Sequence, residues 1–272
     1  MLCRTGLVWK STLDGQVLTF RLIGVNNQNF IMEDEQTGTW WQQVTGKAIH
    51  GELMGKRLQP LFFDQVTWEV WSRENPGSTV LESRPEFAER YWEELERDEN
   101  RDGEFIMPFP VEADPEDNLE LGEIVQALRL SDGREKAYPL RLLREQNPVS
   151  DRFGGTDILV VVGEDDRSVR AFDRAVDGRT LVFYRLLDTN VLVDAETKSE
   201  WDFSGLAVSG ELKGTRLRQL QIYADYWFDW KKFNPAGLVF AAGETKWGQI
   251  YFFENKSVPL SPYQSNTGGR RA

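Results

Sequence analysis

The sequence predicts an α+β protein dominated by antiparallel sheet, duplicated internally and joined by a helical, acidic linker. Three observations support this prediction. Asp-Gly pairs separate short alternating segments, tryptophans recur three residues apart, and residues 3–81 return in the same order as residues 166–240. The composition, 40% hydrophobic and 28% charged, is that of a globular protein large enough to bury a core.

Asp-Gly pairs at positions 14–15 and 177–178 predict two equivalent hairpins. A type I′ turn needs positive φ at both central residues, and this dipeptide tolerates that requirement well. A third pair at 132–133 predicts another hairpin. It is followed by a predicted short helix after Pro139 and a predicted strand over 157–162.

Two segments, 65–74 and 224–233, predict short helices that stop near an Asn-Pro pair. Each carries two tryptophans three residues apart, which places them on one helical face. We expect these side chains to be mostly buried, since large aromatic residues dominate core packing. A ligand-stacking surface is the alternative for the same four residues, Trp68, Trp71, Trp227 and Trp230.

The duplication is clearest where Gly46–Leu61 matches Gly205–Leu220 at nine of sixteen positions. We expect the copies to share one fold and a pseudo-two-fold relation. The second copy has a front half, residues 121–163, without a counterpart. We therefore expect a first copy that lacks its front half, with an open sheet edge that permits dimerisation or is covered by residues 241–257.

Four regions follow from this organisation. Residues 1–81 form the first repeat, 82–120 the linker, 121–240 the complete second repeat, and 241–272 an extra strand with a polar tail. Within the linker, a capping box beginning at Ser83 predicts a helix to about residue 97.

Charge and hydropathy limit the partners of the chain. The net charge is −12, which disfavours nucleic acid and anionic membrane surfaces. No apolar run reaches the length of about 18 residues that a transmembrane helix needs, so none is expected. The sequence does not determine the cellular compartment. The cell envelope is the working interpretation, with any signal peptide expected upstream of Met1.

The chain has one cysteine, Cys3, and one histidine, His50. A single cysteine closes no internal disulfide and builds no zinc cluster, so we expect no metal or cofactor. His50 is expected to be a surface loop residue, because no nucleophile motif accompanies it.

Two arginines recur in Gly-x-Arg-Leu segments, Arg57 and Arg216. A guanidinium can clamp a carboxylate ligand, but pairing with Glu52 and Glu211 is the favoured interpretation. The candidate binding residues are Cys3, Arg57, Arg216, Trp41 and Trp201.

Several motifs carry a family resemblance: Cys-Arg-Thr-Gly at 3–6, Thr-Gly-Lys-Ala at 45–48, and Gly-Glu-Leu-x-Gly-x-Arg-Leu at both 51–58 and 210–217. Together they resemble a bacterial and archaeal family known as domain of unknown function 3179, here in two copies with the first truncated. The resemblance implies a Cys-x-x-Cys pair whose second member is Cys3. It implies no activity.

The sequence thus favours a non-catalytic binding or structural protein. The alternative is an enzyme or a metal- or thiol-handling protein whose cysteine-pair site is incomplete in this chain. Whether the chain is an enzyme is left open.

Overall fold

The computed structural model describes residues 4–82, 84–89, 119–186 and 191–241. Cys3, the predicted helix beyond residue 89, the linker over 100–118 and the extra strand predicted after residue 241 lie outside these residues. The described chain is rich in antiparallel strands with a few short helices, which confirms the predicted balance of elements.

The N-terminal region contains a small hairpin, a four-stranded sheet, a helix and a 3₁₀ turn at Pro85–Phe87. In this sheet each strand pairs with the next one along the chain. The elements are β1 (Thr12–Leu13), β2 (Gln16–Val17), β3 (Phe20–Asn26), β4 (Asn29–Asp34), β5 (Trp40–Gln42), β6 (Lys47–His50) and α1 (Trp68–Glu74).

The second part of the chain begins with five strands of a larger sheet and one helix that packs on it. Its elements are β7 (Ile124–Arg129), β8 (Glu135–Pro139), α2 (Leu140–Glu145), β9 (Val149–Phe153), β10 (Thr156–Val162) and β11 (Val169–Asp173). The predicted hairpin at 132–133, the helix after Pro139 and the strand near 157–162 are all present.

The remaining elements form a second small hairpin and a three-stranded sheet, and the last two strands then complete the larger sheet. They are β12 (Ala175–Val176), β13 (Arg179–Thr180), β14 (Phe183–Arg185), β15 (Leu192–Asp194), β16 (Glu200–Trp201), β17 (Arg218–Tyr226), α3 (Trp227–Phe233) and β18 (Leu238–Val239). Strands β14, β15 and β16 form a three-stranded sheet. The larger sheet has seven strands in the order β18-β8-β7-β17-β11-β10-β9.

The two Asp-Gly hairpins have the backbone that the sequence predicts. Asp14 and Gly15 have φ of 48° and 86°, and Asp177 and Gly178 have φ of 49° and 76°. Positive φ at both central residues is the requirement of a type I′ turn, whose twist matches the flanking strands. The β1–β2 and β12–β13 hairpins are therefore confirmed.

The two predicted helices are confirmed, although each begins three residues later than expected. They end at C-caps Asn75 and Asn234. Residues 224–226, which were predicted as helix, instead continue β17, where Tyr226 pairs with Ile124 of β7. Pairing with a distant strand here outweighs the local helical pattern.

Strand β10 shows why the large sheet is the centre of the fold. Its residues alternate between two apolar clusters: Ile158 and Val160 pack with Leu143 of α2, whereas Leu159 and Val161 pack with the three-stranded sheet. Both faces are covered, so the strand is a nearly continuous buried run.

The four tryptophans of the two helices differ in burial. Trp227 and Trp230 are 2% and 0% exposed and pack against β7 and β8. Trp68 and Trp71 are 52% and 39% exposed, so the prediction that they are mostly buried was wrong. The strands that cover α3 come from residues 121–139, and no equivalent pair precedes α1 in the described chain.

Residues 59–67 dock the N-terminal region onto the large sheet. The Phe63 N–H donates to Gln221 Oε1 at 3.1 Å, and the Ala224 N–H donates to Gln65 Oε1 at 2.8 Å. The segment thus lies beside β17 through side-chain hydrogen bonds. Helix α1 follows it and reaches the end of β10, where the candidate site lies.

Candidate binding cleft

A cleft of about 470 Å³ lies where the C-terminal end of α1 meets the end of β10 and the three-stranded sheet. This volume falls in the range of about 300–1,000 Å³ usual for small-molecule sites. The lining residues come from α1, β10, β14, β15 and β16 and from the loops around them: Arg73, Glu74, Val161, Gly163, Glu164, Arg185, Val191, Leu192, Glu200, Trp201, Asp202, Phe203, Ser204 and Val208.

Arg170 of β11 fixes the cleft wall formed by α1. It is 2% exposed, and its two Nη atoms each donate to an oxygen of Glu74 at 2.7 Å. Its Nε also donates to Asp64 Oδ2 at 2.9 Å. Burial alone would lower the pKa of Arg170, but these carboxylates outweigh it and raise the pKa above its ordinary value. The guanidinium therefore stays charged and holds the end of α1 in place.

The start of α1 is anchored by Thr67, the N-cap residue. Its N–H donates to Ser168 Oγ at 2.9 Å, and its hydroxyl donates to Asp165 Oδ2 at 2.6 Å. Burial would raise the pKa of Asp165, but the hydrogen bonds from Ser168 and Thr67 lower it to about 2. Asp165 is thus a carboxylate at neutral pH, and both ends of α1 are tied to the large sheet by polar contacts.

Two guanidinium groups line the cleft beside one carboxylate. Arg185 of β14 is half-buried and donates to the Val162 carbonyl at 2.9 Å. Burial lowers its pKa, and the charge of Glu164 opposes this only in part. Arg73 of α1 is exposed and has its Nη1 at 3.8 Å from Glu164 Oε2, which is a loose ion pair.

Three other carboxylates of the cleft are already hydrogen-bonded. Glu74 binds Arg170 as described, and Glu200 Oε2 accepts from the Ser209 hydroxyl at 2.9 Å. Asp202 Oδ1 accepts from the Ser204 hydroxyl at 2.6 Å. These three acidic side chains therefore have partners within the protein, and the two arginines are the cationic groups that line the cleft.

Trp201 and Trp41, two of the predicted binding residues, each donate a hydrogen bond to an aspartate, but only Trp201 lies at the cleft. Trp201 Nε1 donates to Asp194 Oδ2 at 3.0 Å, and the ring lines the cleft. Trp41 Nε1 donates to Asp34 Oδ2 at 2.8 Å, and the ring packs in the separate core of the N-terminal region with Leu58.

Arg57 and Arg216 hold loops and do not lie in the cleft. Arg57 Nε donates to the Thr45 carbonyl at 3.0 Å, and Arg216 Nη1 donates to the Ser204 carbonyl at 3.1 Å. The expected pairing with Glu52 and Glu211 was wrong: Glu211 instead accepts from Arg179 at 3.2 Å.

His50 ends β6 and is exposed, with its ring centroid 4.9 Å from that of Trp40. It is thus at the surface, but in a strand rather than the expected loop. In the part of the chain that the structure describes, no group of three or more His, Cys, Asp or Glu side chains is arranged to hold a metal ion. No helix among these residues has the length and apolar character to cross a membrane.

Sequence reasoning missed two acidic residues near the start of α3. Asp225 and Asp229 are both 0% exposed, and Asp229 Oδ2 accepts from the Thr5 hydroxyl at 3.0 Å. Burial raises the pKa of Asp229 to about 6. The available signal was their spacing, since two acids four residues apart interrupt an otherwise aromatic stretch over 223–230.

The fold and cleft define an antiparallel β-rich protein with a pocket of ligand size between a short helix and two sheets. The model of the family described as "Protein of unknown function (DUF3179)" matches residues 1–237, and the chain belongs to that family. One match spans both predicted repeats, so the prediction of two family copies, the first truncated, was wrong. No curated protein and no solved structure matches the chain.

Proposed function

We propose that this chain is a non-catalytic binding protein whose cleft takes a small ligand with a carboxylate or phosphate group. One observation carries the proposal. Arg73 and Arg185 line the same cleft while its carboxylates, apart from Glu164, already have hydrogen-bond partners. A guanidinium presents a planar fork of donors that fits a carboxylate or phosphate bidentately.

Burial of Arg185 favours an anionic ligand. Its guanidinium is partly removed from water, and the loose carboxylate Glu164 compensates only in part. An anion bound between Arg185 and Arg73 would interact favourably with both guanidinium groups. Trp201 and Phe203 in the same lining provide apolar contacts for the rest of the ligand. The net charge of −12 opposes an anion at long range, but salt screens this effect beyond about 8 Å.

Isothermal titration with citrate and with inorganic phosphate tests the proposal and separates the two anions. We expect saturable binding of at least one of them, weakened by about tenfold or more in Arg185→Gln. This loss corresponds to one charge-assisted contact of about 1.5–3 kcal/mol. Arg57→Gln is the matched control, because it removes an arginine of the equivalent repeat that lies outside the cleft, and binding should be unchanged.

Two results would contradict the proposal. One is no saturable binding of either anion, in a protein whose folding is verified by tryptophan fluorescence. The other is binding that Arg185→Gln and Arg57→Gln weaken equally, since this would indicate general charge attraction.

A second proposal concerns origin: the single family domain arose by internal duplication. Matching contacts support it. Asp34 and Asp194 each accept hydrogen bonds from a Thr hydroxyl three residues later and from a Trp Nε1 seven residues later. Backbone bridges join Lys47 to Arg57, and Leu206 to Arg216, at the same offset of 159. A superposition of 12–75 on 175–234 in an experimental structure, with different strand order, would refute it.

A further inference from the structure

Asp225 and Asp229 place two carboxyl groups in the interior, with no ion pair to either among the described residues. Asp225 lies in β17 and Asp229 in the first turn of α3. Asp225 Oδ1 accepts from the Tyr226 N–H at 2.8 Å, and Asp229 Oδ2 accepts from the Thr5 hydroxyl at 3.0 Å. The other oxygens, Asp225 Oδ2 and Asp229 Oδ1, accept no hydrogen bond within the described part of the chain.

Two ionised carboxylates at this position would destabilise the folded state. Each buried charge loses its hydration, the charges repel each other, and one oxygen of each lacks a donor. One proton between Asp225 and Asp229 removes a charge and gives a hydrogen bond to both orphaned oxygens. Such sharing is the usual solution where two carboxyl groups are held close together.

We propose that Asp225 and Asp229 share a proton at neutral pH, and that this shared proton ties the N-terminal segment and the β3–β4 hairpin to α3. The tie runs through Thr5, which bonds to Asp229, and through Asn29, whose side chain also donates to Asp229. This inference is independent of the ligand proposed for the cleft.

The surrounding groups favour a proton over a metal ion. The Thr5 hydroxyl, the Asn29 amide and the Tyr226 N–H all point donors at the carboxyl oxygens, whereas a cation needs lone pairs. Burial, followed by the charge of Asp229, raises the pKa of Asp225 well above its ordinary value.

Four other titratable groups lie on the elements around this pair. Glu135 of β8 adds a negative charge that also raises the pKa of Asp225. Arg129 of β7 is bonded to Glu135, and the Tyr223 hydroxyl of β17 donates to Glu135 Oε2 at 2.8 Å. Arg4, on the N-terminal segment, has its guanidinium carbon 5.9 Å from the Tyr226 ring centroid. Burial and the charge of Asp229 come before Glu135 among the causes that raise the pKa of Asp225, so the pair itself dominates the titration.

The sign of the pH effect follows from proton retention. In the unfolded chain both aspartates ionise near pH 3.9. The folded chain keeps at least one proton above that pH, so raising the pH favours unfolding. The unfolding equilibrium constant should rise by up to about tenfold per pH unit for each retained proton.

Urea unfolding of the full chain at pH 5, 6, 7 and 8 measures this slope. We expect the unfolding constant of the native sequence to rise more steeply with pH than that of Asp225→Asn, by up to about tenfold per unit. Asp165→Asn is the matched control: its carboxyl, with a pKa of about 2, does not titrate in this range, and its slope should follow the native sequence. Equal slopes for the native sequence and Asp225→Asn would overturn the proposal.

Infrared spectroscopy of the native chain in D₂O covers the case in which Asp225→Asn does not fold. At pH 7 a carbonyl band of a protonated carboxylic acid should be present and should bleach as the pH is raised. Absence of that band at pH 7 overturns the proposal. A stoichiometric metal ion found by elemental analysis, and lost on Asp229→Asn, overturns it in favour of a cation site.

Discussion

Helices α1 and α3 have the same length and the same tryptophan spacing, and both end at an asparagine, yet one is exposed and the other buried. In α3, Trp230 is 0% exposed and its Nε1 donates to Glu135 Oε2 at 2.9 Å. In α1, Trp71 is 39% exposed and its Nε1 donates to Ser78 Oγ at 2.8 Å. Local sequence specifies the helix, whereas its burial depends on a hairpin nearly one hundred residues away in the chain.

The same comparison shows two ways of holding a helix. Helix α3 is held by apolar packing of Trp227 and Trp230 on β7 and β8. Helix α1 buries only Val70 and is held by Arg170 and by its N-cap Thr67. A polar attachment leaves the aromatic face of α1 at the surface and its last turn free to line the cleft.

The largest expected difference is between the paired tryptophans. Trp230→Ala should lower the free energy of unfolding by about 3–5 kcal/mol, because it opens a cavity in the core and leaves Glu135 with one donor fewer. Trp71→Ala should cost less than about 1 kcal/mol, since the side chain is partly in solvent. Urea unfolding of both variants checks this. Equal losses would show that α1 is covered in solution.

The polar attachment of α1 is broken by Arg170→Met. Removing the guanidinium leaves Asp64 and Glu74 without their cation, and we expect the free energy of unfolding to fall by about 3 kcal/mol. Arg73→Gln, on the same helix, removes only an exposed pair at 3.8 Å and should change stability by less than about 0.5 kcal/mol. Thermal and urea unfolding give both values. A small effect of Arg170→Met would mean that Val70 packing alone holds the helix.

Asp34 and Asp194 make matching hydrogen bonds, and substitutions at both test whether these bonds contribute equally to stability. Asp34→Asn and Asp194→Asn each weaken charge-assisted bonds from a threonine and a tryptophan, and each should cost about 1–3 kcal/mol. We expect the two losses to agree within about 1 kcal/mol, in contrast to the tryptophan pairs. Denaturant unfolding decides this. A much smaller loss for Asp34→Asn would indicate that the N-terminal region unfolds on its own before the large sheet.

The smallest expected effect is the pH dependence of the Asp165 contact with Thr67. The folded pKa of Asp165, about 2, lies below its unfolded value, so the stabilisation is present above about pH 4 and is lost as the pH falls toward 2. Because Asp165 is only partly buried, solvent screening limits the contribution to about 1 kcal/mol. Asp165→Asn should remove this acid-dependent part. An unchanged acid unfolding profile would contradict it.

Much of the fold was predictable because it depends on local signals. The Asp-Gly pairs specify turns through backbone geometry, and the tryptophan spacing with Asn-Pro specifies the short helices. Strand β17 was not predictable in this way. Its last three residues, 224–226, read as the start of a helix, and only pairing with β7 makes them extended.

The candidate site was less predictable than the fold. Trp201 was singled out because it recurs, and it does line the cleft. Its equivalent Trp41 recurs equally well but lies in a separate core. Arg170, Arg185 and Asp229 do not recur and carry no motif, since their roles depend on which elements meet in space.

The position of β17 in the middle of the large sheet has a consequence for biosynthesis. This strand is among the last described elements to be translated, yet it pairs with β7 and β11 on either side and also receives residues 59–67. During synthesis, the two halves of the sheet and the docking segment can therefore assemble only after Arg218–Tyr226 has left the ribosome. A nascent chain stopped before residue 218 should remain sensitive to protease over 59–74, and one extended beyond α3 should gain protection there in a single step.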